Sequence, residues 1–256
     1  MMTAELTKAI APGAPALTER VLVIVPAYNE AESLPALLSS LRSEAPFADV
    51  LVVNDGSRDA TAEVAAAVPG ISVVTLPCNL GIGGAVQTGF KFAARRRYDV
   101  ALQVDGDGQH KPAEIRALVA PILAGRADMT IGSRFLSVQS FRSSFLRRIG
   151  IRLFSLVNSW LIGQTISDNT SGFRAYSRKA IEFLSIHYPS DYPEPETVVL
   201  LARNGFRLEE VPVEMQDRQG GASSITPWRS VYYMVKVLLA IGMGAVRDPI
   251  VKGVGR

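Results

Sequence analysis

The sequence predicts an α/β protein built on a doubly wound, mainly parallel, Rossmann-like sheet. Three observations predict it. From Val21 to Phe135, runs rich in Val, Ile and Leu alternate with segments whose apolar residues recur at helical spacing. The apolar runs are nearly unbroken, as strands buried on both faces require. Unusual polar residues gather just after those runs, where open parallel sheets bind their ligands.

The elements follow in order. "RVLVIVPAYNE", residues 20–30, is a buried strand ended by Pro26. "EAESLPALLSSLRSE" is a helix with Leu34, Leu37, Leu38 and Leu41 on one face. "DVLVVNDGS" is the second strand, and "RDATAEVAAAV" a helix capped near Ser57 or Asp59. "ISVVTL" is the third strand and "GIGGAVQTGFKFAARRR" a helix opened by glycines. "DVALQV" is the fourth strand, "PAEIRALVAPILAG" a helix entered at Pro112, and "ADMTIGSRF" the fifth strand. The pattern then changes. Residues 137–148 are polar and basic, and 145–164 form an amphipathic helix with Arg147, Arg148 and Arg152 near its start. "SDNTSGFRAYSRKAIEFL" is a turn leading to a helix, "EPETVVLLARNG" a helix stopped by Gly205, and "FRLEEVPVEM" a strand. Residues 216–225 read as a loop, and 228–246 as a closing helix. The expected organisation is a flexible leader over 1–19 and one domain over 20–225 with an amphipathic insertion at about 144–164. An amphipathic helix and tail follow over 226–256.

Composition narrows the function. A net charge of +3 in 256 residues is too mild for a nucleic-acid footprint over the whole surface. A single cysteine, Cys78, excludes a disulfide within the chain and a cysteine-built metal centre. The amino terminus has neither the basic start nor the apolar stretch of a secretory signal. The longest apolar stretch, Val231 to Val246, is interrupted by Lys236 and is too short for the roughly 30 Å hydrocarbon core.

The chemistry lies at the strand ends. Strand one ends in Pro26, Ala27, Tyr28, Asn29 and Glu30, and strand two in Asn54, Asp55, Gly56 and Ser57. Strand four ends in Asp105, Gly106, Asp107, Gly108 and Gln109, and strand five in Gly132, Ser133 and Arg134. Each group alone reads as a turn or cap. Asp105 and Asp107, one residue apart, repel each other unless a positive charge sits between them.

The stretches "VIVPAYNE", "VVNDGS", "NLGIGGAVQTGF", "QVDGDGQH", "GSRF" and "TSGFRAY" resemble the signatures of the family-two inverting glycosyltransferases, and within them the polyprenyl-phosphate sugar synthases of the dolichyl-phosphate mannose synthase type. The resemblance runs from about Val21 to Ile225. It implies a GT-A fold, a nucleotide-sugar donor, and Mg²⁺ or Mn²⁺ as cofactor. It places Pro26, Ala27, Tyr28, Glu30, Asp55, Gly83, Gln87, Asp105 and Gly106 around the donor, with Tyr28 flanking the base and Glu30 and Asp55 accepting from ribose or base. Asp105, Asp107 and Gln109 would hold the metal, all oxygen ligands as a hard cation prefers. His110 reads as support rather than ligand. The glycines of "NLGIGGAVQTGF" make a weak phosphate cradle without a lysine, and in the family this segment mainly packs its helix close to the sheet. Arg134, Arg174 and Arg218 match family arginines near the acceptor, the diphosphate and a mobile loop, and arginine suits phosphate by its forked donors. Ser133 and Ser223 join Arg134 at an acceptor phosphate. Where synthases often carry Ser-Lys, this chain has Ser223-Ser224, which weakens the lipid-phosphate reading.

Two acceptors therefore stay open. A phosphate is already an anion and needs no base, so the leading expectation is transfer to a polyprenyl phosphate. A hydroxyl on a cell-surface glycan needs one, and Glu194 or Glu196 in "YPEPETVVL" could serve, although carboxylates there also complement a helix dipole. A non-catalytic nucleotide-sugar binder is a third reading, disfavoured by the intact acidic motif and three arginines. Aromatic and basic residues in both amphipathic helices suit a membrane surface, and either helix can instead serve core packing or a homo-oligomer interface. The expected location is peripheral, on the cytoplasmic face of the membrane.

Overall fold

A computed structural model describes residues 19–106, 108–136, 163–169 and 171–214, together with Ile250. Asp107, Arg218, Ser223, nearly all of the leader and amphipathic insertion, and the closing helix lie outside the described residues.

In chain order the elements are β1 (Val21–Ala27), α1 (Leu34–Glu44), β2 (Ala48–Asn54), α2 (Thr61–Ala66) and β3 (Ile71–Thr75). Then come α3 (Gly81–Arg95), β4 (Val100–Gln103), a 3₁₀ turn over Pro112–Glu114, α4 (Ile115–Leu123) and β5 (Met129–Ser133). The last are β6 (Arg174–Ser177), α5 (Arg178–His187), α6 (Pro193–Arg203) and β7 (Leu208–Pro212). The strands form one sheet in the order β3-β2-β1-β4-β6-β5-β7. Every pairing is parallel except those of β6, which runs antiparallel to both β4 and β5. The α/β class and the first five strands agree with the sequence reading.

Alternation along β1 builds two cores. Val21, Val23 and Val25 face α1 and α4, against Leu34, Leu38, Leu41, Ile115 and Leu118. Leu22 and Ile24 face the opposite layer, against Val86 and Phe90 of α3, Ile181 of α5 and Leu201 of α6. The four leucines of α1 are nearly or fully buried, each contributing about 1.5–3 kcal/mol over an exposed position. α3 lies unusually close to the sheet. A Cβ on Gly89 would fall 2.4 Å from Ile24 Cγ2, and one on Gly83 would fall 2.6 Å from the Ser190 carbonyl oxygen. The glycines of α3 thus serve packing, and they bring the 189–190 backbone to the helix start.

Of two local expectations, one is narrowed and one corrected. α2 begins at Thr61 with Ala60 at its cap position, and Asp59 Oδ1 accepts from Thr61 N–H at 3.1 Å, so a side chain does hold the helix start at Asp59 and not at Ser57. Ser57 Oγ accepts from Asn29 N–H (3.0 Å), and the second Asp59 oxygen, Oδ2, from Ala31 N–H (3.1 Å), so both also tie the loop after β2 to the loop after β1. The stretch after Ser167, read as a turn leading to a helix, contains the strand β6. Its four residues are too few to show a period.

This topology sets the site. β1, β2, β4, β5 and β7 all end at one edge of the sheet, and β6 starts there. The chain turns from β1 outward to β2 and β3, then back to β4 on the other side, which opens a crevice at that edge. Among the described residues, no helix is long and apolar enough to cross a membrane.

Candidate active site

On the β1–β2 side the backbone is tightly fixed. Asn29 adopts a left-handed φ of 56°, and its Oδ1 accepts from Arg58 N–H at 2.9 Å. Gly56 is also left-handed (φ +67°), and a Cβ there would lie 2.8 Å from the Cys78 carbonyl carbon, so only glycine fits this turn. Asp55 is buried and accepts from Leu80 N–H at 2.7 Å. One of its oxygens therefore holds the start of α3. Glu30 accepts from Ser33 Oγ, and its N–H donates to Thr61 Oγ1 (2.9 Å). Pro26 and Ala27 are buried strand residues in register with Val53 and Asn54. Tyr28, at 42 % exposure, presents an open aromatic face. A Cβ at Gly106 would meet Pro26 and Glu30 at ordinary contact distance. Gly83 and Gln87, expected at the donor, face α5 and the loop after it: Gln87 Nε2 donates to the Ile186 carbonyl at 3.3 Å.

Just past β4, the Asp105 carboxylate is held from three sides. Gln103, buried in the strand, donates from Nε2 to Asp105 Oδ1 at 2.9 Å. His110 is buried, stacks on Phe173 with ring centroids 4.8 Å apart, and accepts the Asp105 backbone N–H on Nδ1 at 3.1 Å. Any proton of a neutral ring then sits on Nε2, 3.8 Å from Asp105 Oδ2. On the third side, a Cβ at Gly172 would fall 2.7 Å from Asp105 Oδ2. The carboxylate itself keeps 36 % of its side-chain surface open. Gln109 is half-buried in the same turn. An open carboxylate and an amide oxygen in one turn fit a hard divalent cation by donor type.

Across the edge, the Arg134 guanidinium forms a forked ion pair with Asp168: Nε and Nη2 each lie 2.7 Å from a carboxylate oxygen. Asp168 is fully buried and also accepts the Arg134 backbone N–H at 3.2 Å. Burial would lower the Arg134 pKa, but the hydrogen bonds and charge of Asp168, with a further pull from Asp105, hold it above the ordinary value. Asp105 and Arg134 thus share one electrostatic space. Behind them, Glu210 of β7 accepts from Ser167 N–H and Ser167 Oγ (both 2.8 Å) and from Asp168 N–H (2.9 Å). As a carboxylate, Glu210 only accepts, so the single Ser167 hydroxyl proton belongs to it. Ser133 Oγ, 2.8 Å from Ser167 Oγ, must then donate inward. Ser133 is fully buried with its proton committed. The sequence reading had Ser133 at an acceptor phosphate; here its hydroxyl is turned to Ser167.

Arg174 is 1 % exposed. Its Nη2 donates to the Asn169 carbonyl at 2.8 Å, and its Nη1 to the Glu194 carbonyl. Its guanidinium therefore ties β6 to the start of α6. The two candidate bases differ. Glu196 Oε1 accepts from Tyr192 N–H at 3.1 Å, capping its own helix. The Glu194 carboxyl is raised above the usual range, chiefly by burial, against the pull of Arg174 and with a further push from Asp105.

Gln103, Glu210 and the supporting roles of His110 and Asp168 complete the site. Gln103 offered one faint signal, a polar residue at an inward position of an apolar strand. Glu210 offered none, because its partners lie more than forty residues away.

Sheet order and the acidic turn after β4 define a protein of the GT-A glycosyltransferase class. The chain belongs to glycosyl transferase family 2, whose domain its residues 22–184 match. It is 34 % identical over 218 residues to a polyprenol monophosphomannose synthase of Mycolicibacterium smegmatis, covering 82 % of each chain. It is 35 % identical over 217 residues to an undecaprenyl-phosphate mannosyltransferase of Micrococcus luteus, covering 81 % of this chain and 88 % of that one. Among solved structures, it is similar in fold to glucosyl-3-phosphoglycerate synthase of Mycobacterium tuberculosis, crystallised with Mn²⁺, uridine diphosphate and phosphoglyceric acid. There the TM-score is 0.68 at 20 % identity, over 93 % of this chain and 82 % of that one.

Proposed function

We propose that this glycosyltransferase moves one sugar from a nucleotide-sugar donor to a polyprenyl phosphate at a membrane surface, with inversion at the sugar carbon. The observation that carries the reading is a part-open Asp105 carboxylate at the end of β4 and an Arg134 guanidinium fixed by Asp168 at the end of β5, on the same edge of the sheet. The names of the two relatives above, both polyprenyl-phosphate mannosyltransferases, support the acceptor class.

Tyr28 presents its ring to the donor base, and Asp105 with Asp107 and Gln109 would hold a Mg²⁺ or Mn²⁺ ion. That ion supplies charge neutralisation for the departing nucleoside diphosphate. Arg134 orients the acceptor phosphate. One acceptor oxygen forms the new bond to the sugar carbon, while the bond to the diphosphate breaks and its electron pair leaves with that group. No proton has to be removed. Arg218 and Ser223 join the acceptor end in this scheme, and Arg174 acts as a positioning residue that braces α6. Glu196 caps its helix, which leaves Glu194 as the base if the acceptor were a hydroxyl.

The test is metal-linked donor binding. Thermal shifts are measured with guanosine, uridine and deoxythymidine diphosphates, with and without Mn²⁺. One nucleotide is expected to stabilise the protein in a Mn²⁺-dependent way, and Asp105→Ala to abolish the Mn²⁺-dependent part. Equal shifts in wild type and Asp105→Ala contradict the assignment.

A further inference from the structure

We propose that Glu210 is a positioning residue for the acceptor end of the site, fixing Ser167 and Asp168 from β7 and, through them, the orientation of Arg134. This rests on the reading of Arg134 as the acceptor-phosphate contact. The 163–169 segment leads into β6, which is paired with β5, and its polar end is fixed beside Arg134 by side-chain contacts with β7 as well. Gln164 Nε2 donates to the Leu208 carbonyl at 2.8 Å, and Glu210 takes the three hydrogen bonds from Ser167 and Asp168. β7 in turn pairs with β5 in parallel register, with Glu210 opposite Ile131. One carboxylate thereby links the reversed part of the sheet to both polar residues at the end of β5. Asp168 carries the link to Arg134 through its forked pair, and Ser167 carries it to Ser133.

Glu210 is not replaceable by its amide. Its Oε2 accepts from Ser167 N–H and its Oε1 from Asp168 N–H, so both oxygens face backbone donors. A glutamine has a single acceptor oxygen, and in either flip its amide nitrogen would confront one of those N–H groups. Asp168 then loses the hold that aims its carboxylate at Arg134.

The probe is farnesyl phosphate, titrated calorimetrically into the full chain with Mn²⁺ present. Alongside, the Arg134 Nε–H resonance is followed by ¹H–¹⁵N NMR and assigned with Arg134→Lys. In Glu210→Gln, farnesyl phosphate is expected to bind roughly tenfold more weakly, and the Arg134 signal to shift or broaden, with Mn²⁺-dependent nucleotide binding unchanged. In an Arg134→Ala background, Glu210→Gln should weaken farnesyl phosphate no further. Ser167→Ala, which removes one of the three bonds and leaves both backbone donors paired, should give the same effects in smaller measure. An unaltered Arg134 signal in both variants overturns the proposal, as does a Glu210→Gln loss that adds in full to that of Arg134→Ala. If the Arg134 signal moves while farnesyl phosphate binding stays intact in every variant, the relay stands and the acceptor reading of Arg134 falls.

Discussion

Gly172 places a tight constraint on Asp105 at the start of the acidic turn. A methyl group there would stand 2.7 Å from Asp105 Oδ2, and the carboxylate can escape it only by swinging away. Gly172→Ala should therefore weaken Mn²⁺-dependent nucleotide binding on the order of tenfold while leaving the urea unfolding midpoint nearly unchanged; equal affinity in the variant contradicts the placement. His110 makes the complementary case. His110→Phe keeps a ring against Phe173 but removes the acceptor for the Asp105 N–H. A buried donor left unpaired costs about 1–3 kcal/mol, measurable by urea denaturation, and no loss of stability would show that this hydrogen bond is not what holds the turn. At this scale the sequence made the ligand-type residues legible, since Asp105, Gln109 and Arg134 sit in recognisable local patterns. It could not reveal which residues are held and which do the holding. Gln103, Glu210 and the inward-turned Ser133 proton depend on partners brought together only by folding.

Among the elements, α3 shows how packing overrides propensity. Gly89→Ala in an exposed helix would gain about 1 kcal/mol. Here the added methyl would meet Ile24 Cγ2 at 2.4 Å, so a net loss of about 1–3 kcal/mol is expected. Thermal unfolding checks the sign, and a stabilised variant contradicts the close approach of α3 to β1. The loops entering β5 and β7 are joined by Asp128 and Arg207. Burial alone would raise the Asp128 carboxyl, but hydrogen bonds and charge from Arg207 outweigh it and hold the group below its ordinary value. A depressed folded-state value stabilises the protein above the unfolded value, about 3.9, and that contribution is lost as the pH falls through the depressed range. Asp128→Asn should flatten the acid limb of a stability–pH profile and leave the neutral-to-alkaline limb parallel to wild type. Strands buried on both faces, β1, β4 and most of β2, were legible because their composition states their environment. β6 was not, since a four-residue strand has no period to read.

At the scale of the whole molecule, the sheet order divides the labour. The β1–β2 side carries the Tyr28 ring, and the β5–β7 side carries Arg134, Asp168 and Glu210. β4 lies between them with Asp105 at its end. The doubly wound half was legible from alternation of strands and helices. The second half was not, because the return of β7 to pair with β5 and the reversal of β6 are choices of long-range pairing. The division nevertheless frames the central claim, that a donor held on one side is attacked by an anionic lipid held on the other. The most direct measurement incubates the protein and Mn²⁺ with the radiolabelled sugar nucleotide identified by thermal shift. Polyprenyl phosphate or the corresponding polyprenol is the acceptor, and the lipid-extracted product is treated with mild acid. The account predicts label in the lipid phase only with the phosphate, released by mild acid as free sugar and absent with Asp105→Ala. Label transferred to the polyprenol, or a lipid product that withstands the acid, would contradict it.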